Sequence, residues 1–280
     1  MKAYEIGLYE KAIPKTMSWK EKLLCAKACG YDFLEISIDE TDEKLGRLDW
    51  SAAQRQELAA LSASIGLPVR SMCLSGHRKY PLGATDPAVR SHGMESMAKA
   101  VDFADDLGIR IIQLAGYDVY YEPGTPETER LFCENLEKAV KMAAAKGILL
   151  GFETMETPFM DTVGKSMRYV EQVQSPYLGV YPDAGNLTNA AVLYGSDVLE
   201  DLAAGNGHLF ALHLKETLPG QYREIPFLTG HVDFENMIGK AWSLGVRRFV
   251  TEMWDVGRAE WEEDIRFANR SMREILNRQP

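Results

Sequence analysis

Eight short runs of β-forming residues recur along the 280-residue chain, each followed by a longer stretch with helical periodicity. The runs fall at Glu5–Leu8, Phe33–Ser37, Val69–Leu74, Ile111–Ala115, Leu149–Glu153, Leu178–Tyr181, Phe210–His213 and Phe249–Glu252. Strands separated by helices cannot pair as hairpins, so they pair in parallel and place the helices on the outer face. Eight such units close a sheet on itself, and the chain slightly exceeds the ~250 residues typical of that closure. The expected architecture is therefore α/β, a (β/α)8 TIM barrel, with one domain over residues 1–280 and an apolar content of 46% to fill its core.

The intervening stretches predict helices at Trp19–Cys29, Ala52–Ile65, Pro87–Leu107, Thr128–Lys146, Val163–Val173, Asp197–Ala204, Phe234–Leu244 and Trp261–Asn277. Gly30, Gly66, Gly108, Gly147 and Gly245 each stand between a helical stretch and the next strand, where a left-handed residue stops a helix. The long connections follow the third to seventh strands, on the rim where barrels of this type build their sites. No linker or low-complexity segment interrupts the pattern.

A net charge of −10, with no basic run, gives a surface that repels phosphate backbones, so nucleic acid is not an expected partner. The N-terminal MKAYEIGLYEKAIPK lacks a signal-peptide core, and no apolar stretch reaches the ~18 residues that span a bilayer. The expectation is a soluble, cytoplasmic protein without membrane partners. Cys25, Cys29, Cys73 and Cys133 have no ligand-like spacing, and Cys25 and Cys29, four apart on a helix, read as core packing.

Four polar residues end apolar runs: Glu153 in LLGFE, Asp183 in LGVYPD, His213 in LFALH and Glu252 in FVTE. Their separations of 30, 30 and 39 residues match the repeat of a strand-plus-helix unit, which places all four at one rim. Buried carboxylates need cations nearby, and few lysines or arginines are adjacent in sequence. Carboxylates with one imidazole form a ligand set for Mn²⁺, Zn²⁺, Co²⁺ or Mg²⁺.

Other residues compete for roles. Glu156 is a second acidic candidate beside Glu153, although a strand end holds a ligand more firmly than the loop after it. Glu35, inside FLEIS, faces either the barrel mouth or a buried partner. His208 precedes its strand and belongs to the opposite rim, His92 to a helix surface, while His77 and His231 lie in active-face loops. His77, Arg78 and Lys79 after the third strand, with Lys215 and Arg223 after the seventh, supply donors that match phosphate oxygens; the plainer alternative is surface charge balancing nearby acids.

The segments GFETMETPFM, YPDAGN, HLFALHLKETLPG, IPFLTGHVDF and TEMW, with SMCLSGHRKYPLG and IIQLAGYDVYY in the first half, resemble the L-ribulose-5-phosphate / L-xylulose-5-phosphate 3-epimerases, within the xylose-isomerase-like barrel superfamily. The resemblance spans almost the whole chain and implies one divalent metal on Glu153, Asp183, His213 and Glu252. It further implies that Glu153 and Glu252 flank the substrate and exchange its proton, epimerising a ketopentulose 5-phosphate through a metal-stabilised enediolate. His77, Arg78, Lys79 and Lys215 also look like the family's loop residues, and with Arg223, Glu156 and His231, singled out by charge and loop position, they are the candidate substrate contacts. Epimerisation of unphosphorylated ketoses and aldose–ketose isomerisation use the same chemistry and stay open. More distant alternatives are a metal-dependent nuclease acting at damaged DNA sites, for which the chain is too acidic and too poor in histidine, and an inert sugar-binding module. Barrels of this kind commonly pair through outer helices, so a homodimer is expected.

Overall fold

All eight expected strands form, and every pairing between them is parallel. In the computed structural model, which describes residues 3–280, they are β1 (Glu5–Tyr9), β2 (Phe33–Ile38), β3 (Val69–Leu74), β4 (Ile111–Ala115), β5 (Leu149–Glu153), β6 (Leu178–Val180), β7 (Leu212–Leu214) and β8 (Arg248–Thr251). The sheet runs β6-β5-β4-β3-β2-β1-β8-β7. Isolated parallel bridges, Val180 to Leu209 and Asp183 to His213, join its two ends and close the barrel.

The seam between β6 and β7 is where strand limits depart from expectation, β6 ending before Tyr181 and β7 starting after Phe210. Pro182 has no N–H to continue the ladder. Pairing therefore lapses after Val180 and resumes as a single bridge, with the His213 N–H donating to the Pro182 carbonyl at 2.9 Å.

Around the sheet lie α1 (Trp19–Ala28), α2 (Asp42–Leu45), α3 (Ala52–Ile65), α4 (Pro87–Leu107), α5 (Pro126–Ala145), α6 (Val163–Val173), α7 (Ala184–Tyr194), α8 (Val198–Ala203), α9 (Phe234–Ser243) and α10 (Trp261–Leu276). Local chemistry sets their ends. Ser18 with Glu21 and Ser51 with Gln54 form capping boxes on α1 and α3, satisfying amides that have no partner within the helix. All five glycines expected to stop helices have positive φ. Two helices were not expected: the single turn α2, and α7, which lies in the segment read as a loop after the sixth strand.

Two main apolar cores result, beside a small cluster of Ala115, Tyr117 and Met155. One fills the layer between barrel and helices. The other lies inside the barrel, where Phe33, Cys73, Ile111, Tyr181 and Val250 are buried together. The ring of Phe33 crosses to β1 so closely that a Cβ on Gly7 would sit 2.3 Å from it, so only glycine fits there. Above this plug, at the C-terminal rim of the strands, polar side chains replace apolar ones. No helix among the described residues is long and apolar enough to cross a membrane.

Candidate metal and active site

Glu153 ends β5, His213 occupies the middle of β7, and Glu252 follows β8 directly. One ligand atom from each lies within 4.8 Å of the others, and all three residues are buried. Asp183 joins them by another route. It is the N-cap of α7, its Oδ1 accepting the Asn186 amide at 2.7 Å while its backbone bridges to His213. Its second carboxylate oxygen, Oδ2, is buried and accepts no hydrogen bond.

His213 is held from both sides. Its Nε2 lies 2.6 Å from Glu35 Oε1, and its Nδ1 faces Glu252 Oε2 at 3.1 Å. Glu35, wholly buried inside the barrel, also accepts from Ser71 Oγ at 2.6 Å and from the Tyr181 hydroxyl at 2.9 Å. Glu35 thus points to the far nitrogen of the imidazole rather than into the cleft. Lys215 enters from the end of β7, with its ammonium 2.8 Å from Asn186 Oδ1, 3.1 Å from Asp183 Oδ1 and 3.5 Å from Glu252 Oε2.

Charge is crowded here. Burial and the neighbouring Glu252 push the Glu153 carboxyl up to about 8. Burial also lifts Asp183, to about 7, against the pull of Lys215. For Glu252 burial works in the same upward sense, but Lys215 and His213 outweigh it and hold this carboxyl well below its usual range. Burial disfavours a charged His213 ring, yet Glu35 and Glu252 raise the imidazole above its ordinary value.

Four buried carboxyl groups, Glu35, Glu153, Asp183 and Glu252, therefore face one ammonium and one imidazole. A divalent cation fits this donor set, because it would neutralise the excess and give Asp183 Oδ2 the partner it lacks. Glu35 would fix the imidazole, as carboxylates behind metal-bound histidines do.

The cleft above this group is lined by Tyr9, Ser75, Arg78, Glu156, Arg223 and Trp254, together with Glu153, Lys215 and Glu252. Of the expected substrate contacts it holds Arg78, Lys215, Arg223 and Glu156. His77 lies elsewhere, buried with its Nε2 3.1 Å from the Gly93 carbonyl, and burial lowers its imidazole to about 4. Lys79 is at the surface, 2.7 Å from Asp42. His231 meets Thr217 Oγ1 at 3.0 Å outside the cleft. Glu156 is not grouped with the metal-spaced atoms; its Oε1 accepts from the Tyr120 hydroxyl at 2.9 Å and from Arg223.

Sequence reasoning did not single out Tyr9, Trp254, Asn186 or Gln113. Tyr9 ends β1, and the strand-end criterion that found Glu153 would have found it too. Trp254 stands edge-on to Tyr9, ring centroids 6.2 Å apart, and the pair walls the site beside Lys215.

The chain is similar over most of its length to known proteins. The model of a family described as xylose isomerase-like TIM barrel matches residues 24–274. SgbU of Escherichia coli (strain K12), provisionally named an L-ribulose-5-phosphate 3-epimerase, is 47% identical over 261 residues, covering 91% of this chain and 90% of its own. UlaE of Escherichia coli O157:H7, named L-ribulose-5-phosphate 3-epimerase, is 45% identical over 254 residues, covering 90% of this chain and 88% of its own. A crystal structure of D-psicose 3-epimerase from Clostridium cellulolyticum H10 superposes with a TM-score of 0.79 at 16% identity, covering 97% of this chain and 99% of that one.

Proposed function

The chain belongs to the L-ribulose-5-phosphate 3-epimerase family of xylose isomerase-like TIM barrels, and from that premise we propose that it inverts carbon 3 of a ketopentulose 5-phosphate with a divalent metal held by Glu153, Asp183, His213 and Glu252. It is an enzyme of the isomerase class. The substrate pair is L-ribulose 5-phosphate and L-xylulose 5-phosphate. The observation that carries this reading is the convergence of two glutamates from β5 and β8 on one imidazole under a cleft that also holds Lys215, Arg78 and Arg223.

A cation held by Glu153, Asp183, His213 and Glu252 would supply Lewis-acid chemistry, stabilising the negative charge that develops as the carbon 3 hydrogen leaves. The remaining work belongs to the side chains. One glutamate removes the hydrogen, leaving a planar enediolate, and the other returns a proton to the opposite face, so each is the base in one direction and the acid in the other. Lys215, beside Glu252, keeps that carboxylate ionised and presents an ammonium to the sugar oxygens. Tyr9 and Trp254 keep water from the intermediate.

L-ribulose 5-phosphate followed by nuclear magnetic resonance in heavy water tests the reading. Deuterium is expected at carbon 3 as L-xylulose 5-phosphate appears, and chelation is expected to stop the exchange until Mn²⁺ is restored. Glu153→Gln and Glu252→Gln should each lower turnover about 10³-fold in a folded barrel. Substantial activity in both variants rejects the mechanism. Equal turnover of the free ketose, or deuterium at carbon 1, transfers the assignment to an epimerase of unphosphorylated sugars or to an aldose–ketose isomerase respectively.

A further inference from the structure

Glu10 follows Tyr9 at the end of β1 and turns the other way, out of the barrel and under the helices, where none of its surface is exposed. Three cations meet its carboxylate there. Arg47, in the turn after α2, donates to Oε2 at 2.6 Å, while Lys22 of α1, at 3.2 Å, and Lys44 of α2 donate to Oε1. All three are themselves buried. Burial opposes the charge on Glu10, but Arg47, Lys44 and Lys22 outweigh it and hold the carboxyl at about 2. A buried ion cluster is a weak source of stability, since apolar side chains of similar volume fill such a place equally well. What apolar side chains cannot supply is a donor and an acceptor at fixed points.

Those points are used on Ser37 of β2. β1 stops pairing with β2 at Tyr9, opposite Glu35, and leaves Ser37 beyond the ladder. Glu10 and Arg47 stand in for the missing strand. Glu10 Oε2 accepts the Ser37 amide at 2.9 Å, and Arg47 Nη1 donates to the Ser37 carbonyl at 3.2 Å. On the inner face of the barrel, Ser37 Oγ lies 3.0 Å from the Tyr9 hydroxyl, in a buried contact. On the other side of Glu10, the Lys11 carbonyl accepts the Asp255 amide at 2.7 Å and ties the loop that carries Trp254 to the end of β1. Both aromatic walls of the cleft are therefore set from the segment that Glu10 anchors.

We propose that Glu10 is a positioning residue for the reaction: with Arg47 it fixes Ser37, and Ser37 holds the Tyr9 hydroxyl so that the ring keeps its place as a wall of the cleft against water. The inference rests on the proposed epimerisation, in which the enediolate must persist until it is reprotonated on its other face. A displaced wall lets solvent exchange the abstracted proton before it returns.

The test reads the wall as well as the rate, on the full chain. In heavy water, Glu10→Gln and Ser37→Ala should each raise the deuterium in recovered L-ribulose 5-phosphate, per L-xylulose 5-phosphate formed, by about 3-fold to 10-fold and lower kcat by about 10-fold, with KM changed less. Combined with Tyr9→Phe, which removes the hydroxyl that Ser37 holds, Ser37→Ala should add nothing further, and Glu10→Gln less than it does alone. Apart from turnover, hydrogen exchange at the Ser37 amide should quicken about 10-fold or more in Glu10→Gln, and much less at the amides of β4 and β5. Should Glu10→Gln fail to fold, Arg47→Lys, which keeps the charge and loses the guanidinium that clamps the Ser37 carbonyl, takes its place with the same expectations. The proposal is overturned if the folded variant of this pair exchanges deuterium as the parent does, if Ser37→Ala has the same effect with and without the Tyr9 hydroxyl, or if exchange at the Ser37 amide is unchanged or quickens equally in every strand. A parent protein that turns over no sugar defeats the functional reading, while the Ser37 amide still decides the anchoring.

Discussion

His213 illustrates how much of a site can depend on a residue that touches no substrate. An imidazole can coordinate through only one nitrogen here, and the choice is made by the Glu35 carboxylate 2.6 Å from Nε2, which leaves Nδ1 to face Glu252. Ser71 and Tyr181 fix Glu35 in turn. Glu35→Gln should therefore fold but lower Mn²⁺ affinity by about 10-fold to 100-fold, measured by competition with a chelator. An unchanged affinity would mean that packing alone orients the ring. At this scale the sequence was informative for residues whose position in their own strand defines them. Glu153 and Glu252 close apolar runs, and a carboxylate there announces itself. Gln113 and Asn186 do not, because their roles come from partners brought close by the barrel, Gln113 lying 3.3 Å from a histidine 100 residues away in sequence. The basic run after the third strand shows the same limit from the other side. His77, Arg78 and Lys79 are adjacent in sequence yet point to a helix carbonyl, the cleft and a surface aspartate.

Among the elements, α7 departs most from a reading by local signals. YPDAGN looks like a turn, since proline, glycine and asparagine cluster in it. What makes a helix there is Asp183, which caps it, and the burial of Leu187 and Ala190 against the barrel. The strands whose limits were read directly, Val69–Leu74, Ile111–Ala115 and Leu149–Glu153, pair with strands on both sides, whereas β6 and β7 meet at a seam broken by Pro182. Asp183 thus serves the helix with one oxygen and the candidate metal site with the other. The two duties can be separated. Asp183→Asn retains a capping side chain, and Asp183→Ala does not, while both remove the charge beside Lys215. Both should lose metal binding, and the alanine variant should unfold about 1 kcal/mol more easily than the asparagine variant in denaturant titration. Equal stabilities would show that the cap contributes nothing beyond the packing of α7.

For the whole molecule, the four proposed ligands come from consecutive units, β5 to β8, and so straddle the place where the barrel closes. Asp183 lies on one side of the seam and His213 on the other, and the main-chain bonds across it are few: Val180 N–H to the His208 carbonyl at 2.8 Å, Phe210 N–H to Val180 at 2.9 Å and His213 N–H to Pro182 at 2.9 Å. Elsewhere the ladders are longer and the cores on both faces are apolar. The excess of buried carboxylates also lies at this seam, and their mutual repulsion opposes its closure while no cation is bound. A cation shared by Asp183 and His213 would do two things there, linking the strands and cancelling the repulsion. Loading the protein with metal at 100 times its dissociation constant should accordingly raise unfolding stability by about 2.7 kcal/mol. The gain should not be spread evenly. Hydrogen exchange is expected to slow most at the amides of Phe210 and His213, and much less at those of β2 and β3. A uniform slowing across all strands would place the effect of metal on global stability alone, and faster exchange at the seam would contradict a ligand set that bridges it.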